Sequence, residues 1–94
     1  MADDKRLLEI ATHYGLHQQM RQTVEEMAEL TQAICKVYRY GLDKERDSLV
    51  EELADVDIMV GQLIYLLGDN RFEHIRDAKI TRQLNRIKGE GGGE

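Results

Sequence analysis

The chain has 94 residues, no Trp or Pro, one Cys and a formal net charge of −5, which bounds it to one domain and leaves Cys35 without a partner for an internal disulfide. The acidic surplus argues against a protein that coats nucleic acid through a basic surface, but not against small phosphorylated ligands held at a local site. Leu, Ile, Ala, Glu, Arg and Gln recur, and no apolar run could span a bilayer or serve as a secretory core, so an all-α domain with no membrane partner is expected, in the cytosol.

Asp3 and Asp4 precede KRLLEIATHY, a short helix with acids at its positive end, and Gly15 stops it. A longer helix is predicted from about Leu16 to Tyr40, ending at Gly41. On it Leu16, Met20, Met27, Leu30, Ile34, Val37 and Tyr38 fall within an arc of about 100°, the expected core-facing stripe, with Glu26 and Glu29 at its edge. Asp43 to Asp47 reads as a charged turn, and Asp47 or Ser48 as the cap of a third helix that runs to about Leu67. Its stripe is Leu49, Leu53, Val56, Val60, Leu63 and Leu67, extended by Met59 and Leu66 across the sector of Glu52 and Asp55. Gly68, Asp69 and Asn70 interrupt, and the last helix is roughly Arg71 to Lys88. Residues 1–88 thus form one helical domain, and GEGGGE, residues 89–94, reads as a disordered tail because it has almost no side chain to pack.

Nearly the same acidic phrase occurs twice, VEEMAEL with Glu26 and Glu29 and VEELADV with Glu52 and Asp55. Residues three apart lie roughly 60° apart around a helix, so each pair can aim two carboxylates at a shared point, and two such helices side by side would present four. Ionised carboxylates crowded on a half-buried face repel, at a cost on the order of several kcal/mol unless a cation offsets them. None of the four has a Lys or Arg four residues downstream. Oxygen-only ligands favour a hard ion, Mg²⁺ first and Mn²⁺ as a substitute, over Zn²⁺.

Other metal chemistries fit less well. A di-iron carboxylate bundle needs Glu-x-x-His on two helices, and none of His13, His17 and His74 has a carboxylate three residues before it. Neither acidic phrase has the alternating oxygen ligands and central glycine of a calcium loop. Arg76, Lys79, Arg82, Gln83 and Arg86 recur at helical steps on the last helix; they suit phosphate contacts, a solvated face, or salt bridges to a neighbouring subunit.

The run Glu25, Glu26, Met27, Ala28, Glu29, followed by Glu52, Leu53, Ala54, Asp55, resembles the EExxE and ExxD signature of the MazG-like all-α nucleoside triphosphate pyrophosphatases. Gln19 upstream and KITRQLNRI, Lys79 to Ile87, are similar to segments of short, often phage-encoded members, and the likeness covers about residues 10 to 88. The resemblance implies a four-helix bundle assembled as a homodimer or homotetramer, which splits a nucleoside triphosphate into monophosphate and pyrophosphate with Mg²⁺. It implies Glu26, Glu29, Glu52 and Asp55 as metal ligands and Glu25 as the group that orients or deprotonates the attacking water. Gln19, Lys79 and Arg82 would be substrate contacts. The alternative is a non-catalytic helical interaction module in which the acids hold a structural metal.

Overall fold

A computed structural model describes residues 4–92. The order is α1 (Lys5–Tyr14), α2 (Leu16–Tyr40), α3 (Leu42–Leu67) and α4 (Phe72–Gly92), with no strand among the described residues. Asp4 caps α1, its carboxylate accepting the Arg6 backbone N–H at 3.1 Å, while Asp3 lies outside the described residues. Asp69 accepts the Arg71 N–H at 2.9 Å in the same way just ahead of α4. No such cap precedes α3. Gly41, at φ 97° and ψ 148°, reverses the chain by itself in a conformation that side chains disfavour, and α3 begins at once. The expected turn at Asp43 to Asp47 is therefore the first part of α3: Asp43 and Glu45 sit where a helix is electropositive, and the Glu45 N–H bonds back to the Gly41 carbonyl at 3.2 Å.

With one residue between them, α2 and α3 form an antiparallel hairpin, and α1 packs mainly on α3. The covered face of α2 includes Gln19, Thr23, Glu26, Leu30, Ala33 and Val37; that of α3 includes Glu45, Leu49, Glu52, Val56, Met59 and Leu63. Both series alternate steps of four and three, the heptad spacing of a helix–helix seam. Gln19 Nε2 donates to Gln62 Oε1 at 2.7 Å across the seam, and Gln62 is only 2% exposed. α1 closes down where Leu7 meets Gly61, at which a Cβ would lie 2.5 Å from a Leu7 methyl.

The apolar arc predicted as the core of α2 is largely uncovered: Leu16, Met20, Met27, Ile34 and Tyr38 are exposed, and only Leu30 and Val37 are half-buried. On α3, Leu53 and Leu67 are exposed, while Leu49, Val56, Val60, Leu63 and Leu66 are half-buried and Met59 is buried. The hairpin closes along a partly polar seam adjacent to this arc. α4 does not pack along the other helices, and its helical hydrogen bonding runs to Gly92, beyond the predicted end at Lys88 and into the glycine-rich segment expected to be disordered. Residues 93–94 of that segment lie outside the described residues. The radius of gyration is 16.7 Å, against about 12 Å for a compact chain of this length.

Candidate metal centre

Continuing the Gln19–Gln62 pairing along two antiparallel helices sets Glu26 level with Asp55 and Glu29 level with Glu52. Three of the four acids that the two phrases supply converge. Glu26, Glu52 and Asp55 each offer a carboxylate oxygen, and the three oxygens lie within 4.8 Å of one another. Glu26 and Glu52 are half-buried because they occupy seam positions; Asp55 lies one step outside and opens the cluster to solvent.

The electrostatics are those of an uncompensated site. Glu26 Oε2 and Glu52 Oε2 are shielded from solvent and accept no hydrogen bond, leaving acceptors whose burial is costly without a partner. Burial pushes the Glu26 carboxyl above its usual range, reinforced by the charges of Glu29 and Asp55 and opposed by the Gln22 amide, which donates to Oε1 at 3.0 Å. Burial likewise raises Glu52, followed by the charges of Glu29, Asp55, Glu26 and Glu51. Repulsion with two vacant acceptors is what a hard divalent cation relieves, and an all-oxygen donor set suits Mg²⁺ or Mn²⁺.

Glu29 stands beside the cluster, exposed, and its charge acts on both Glu26 and Glu52. It lines a polar groove with Gln32, Ala33, Lys36, Ser48 and Glu52. Glu25 is exposed on the neighbouring face. Gln19, expected to meet substrate, is buried in the α2/α3 interface, where its amide donates to Gln62. Lys79 and Arg82 lie on α4 apart from the acids; Lys79 lines a separate groove with Arg76, Ile80, Gln83 and Leu84.

Two features escaped the sequence reading although their signals were present. Gln22 is four residues before Glu26, the spacing at which helix side chains meet. Lys36 follows Glu29 by seven residues and Ser48 precedes Glu52 by four, placing both on the acidic face. No family model, curated protein or solved structure matches the chain.

Proposed function

We propose that the protein is a Mg²⁺-dependent nucleoside triphosphate pyrophosphohydrolase of the MazG-like kind, releasing monophosphate and pyrophosphate. The observation that carries this reading is the convergence of Glu26, Glu52 and Asp55, with two buried carboxylate oxygens that no protein donor satisfies. Those three residues would hold the cation, with Glu29 as the fourth carboxylate. Bound Mg²⁺ supplies a Lewis acid that lowers the pKa of water and offsets phosphate charge. Gln22 holds one oxygen of Glu26 by a hydrogen bond, and the other, which has no protein donor, would be available to the cation. Glu25, exposed on the adjoining face of α2, would accept the proton of the attacking water.

The same proposal includes a homo-oligomer. Met27 is 53% exposed and Leu53 49%, members of apolar rows that a water-soluble monomer would leave wet. The apolar edge of α4, Ile80, Leu84 and Ile87, is exposed as well. A dimer or tetramer that covers these rows gives so short a chain the core that it lacks alone.

The decisive assay measures pyrophosphate release from a panel of nucleoside triphosphates with and without Mg²⁺, for the wild-type chain and Glu52→Gln. Release that requires both the metal and Glu52, with monophosphate as the other product, supports the reading. A panel on which the wild-type chain does no better than Glu52→Gln removes it.

A further inference from the structure

In the groove beside the acid cluster, a cation, Lys36, shares a lining with the carboxylates Glu29 and Glu52. The groove continues along the α2/α3 seam toward the Gly41 turn, where Lys36 and Ser48 face it from opposite helices. Lys36 sits about 10 Å along α2 from Glu29 by helical rise, and helix side chains lean toward the N-terminus. Its stem is therefore directed back toward the acids. A lysine serving only to neutralise Glu29 or Glu52 would pair with one of them, yet among the described residues the ion pairs are Arg6–Asp4 and Arg71–Asp69. Lys36 and Ser48 are both exposed, so an ammonium and a hydroxyl on facing walls of the groove are open to a ligand from solution.

We propose that this groove takes the pyrophosphate end of the triphosphate, with Lys36 and Ser48 as its phosphate contacts. The proposal rests on the pyrophosphohydrolase reading and adds a direction to it. The α-phosphorus lies at the acid cluster, the β- and γ-phosphates point toward Gly41, and the nucleoside leaves the opposite way, toward the N-terminal half of α2. In the reaction the water oxygen bonds to the α-phosphorus and the α–β bridging bond breaks. Pyrophosphate leaves with that electron pair, and one proton passes from water to Glu25. Lys36 acts on charge that grows on the departing group, where a hydrogen bond gains most.

The test is calorimetric binding in Mg²⁺, with inorganic pyrophosphate, a nucleoside monophosphate and a triphosphate bearing a methylene α–β bridge as probes. The variants are Lys36→Gln, Lys36→Arg and Ser48→Ala, with Mn²⁺ titration of each as a check on the acid cluster. Loss of one charge-assisted contact predicts that Lys36→Gln weakens pyrophosphate and the triphosphate analogue about 10- to 100-fold. Lys36→Arg retains most of the affinity, Ser48→Ala loses less than Lys36→Gln, and monophosphate and Mn²⁺ binding stay within a few-fold of wild type. Unchanged pyrophosphate affinity in Lys36→Gln overturns the proposal while leaving the metal-dependent reading intact. Equal losses for monophosphate and pyrophosphate overturn it also, since Lys36 would then act on charge in general. A wild-type chain that binds Mn²⁺ but no phosphate probe, or neither, defeats the underlying reading and this proposal with it.

Discussion

Glu26 and Glu52 occupy seam positions that a heptad reserves for apolar side chains, and their carboxyl groups are harder to ionise than usual because they are buried among like charges. When a folded-state pKa exceeds its unfolded value, the folded chain binds the proton more tightly, so stability falls as pH rises through the interval between the two. For these glutamates the penalty is complete above the raised values and is relieved as pH falls toward the ordinary 4.5. Metal-free Glu52→Gln should therefore melt above wild type at pH 7, and the gap should close on acidification to near 4.5. Adding Mg²⁺ should raise the wild-type melting temperature and leave Glu52→Gln nearly unmoved. A metal-free Glu52→Gln that melts below wild type at pH 7 would make Glu52 a structural residue. The Gln19–Gln62 pair invites a second comparison at this scale, because both amides are buried. Gln62→Leu leaves the Gln19 amide without its acceptor and should cost about 1–3 kcal/mol in urea unfolding, whereas replacing both by Leu should restore most of it.

The helices themselves were the most legible part of the sequence. Gly15, Gly41 and Gly68 mark the ends of α1, α2 and α3, each at positive φ, and glycine is the residue that reads there whatever surrounds it. The start of α3 was hidden because five charged or turn-prone residues resemble a loop, whereas the reversal needs only Gly41. Acid convergence was legible from the two spaced phrases, but the packing face was not. Periodicity finds the most apolar arc of a helix without saying which neighbour covers it, and the hairpin chose the arc that includes Gln19, Thr23 and Glu26. Lys36 went unread for the same reason, since its meaning depends on facing Ser48 across the groove. Gly41→Ala should test the turn: forcing a Cβ into that backbone region costs about 1–3 kcal/mol. Equilibrium unfolding should register the loss, and a variant as stable as wild type would show that the chain reverses by another route.

Across the whole molecule, extents of 53 × 38 × 19 Å describe a flat hairpin with an outlying helix. Its charge is divided accordingly. Residues 71–94 carry six Lys or Arg against four Asp or Glu, while residues 1–70 carry seven against fourteen. In an assembly, α4 of one copy would thus be drawn to the acidic hairpin of another, with an attraction that salt weakens. Sedimentation should find the wild-type chain as a dimer or larger, and Met27→Lys with Leu53→Lys should shift it to monomer. A monomeric wild type at micromolar concentration would refute the assembly.

The single-residue Gly41 connection also bears on how quickly the centre forms. Glu26, Glu52 and Asp55 all lie in one uninterrupted α2–Gly41–α3 segment, so they meet by closing a local hairpin, a step that short sequence separation makes fast. The carboxylates must approach one another before the seam is complete, and their repulsion then opposes the forward step. A divalent cation present during refolding would screen that approach and accelerate it, so stopped-flow refolding should speed up with Mg²⁺ in the wild-type chain and not in Glu52→Gln. The reversal at Gly41 would thereby make the cation an aid to folding before it serves any chemistry.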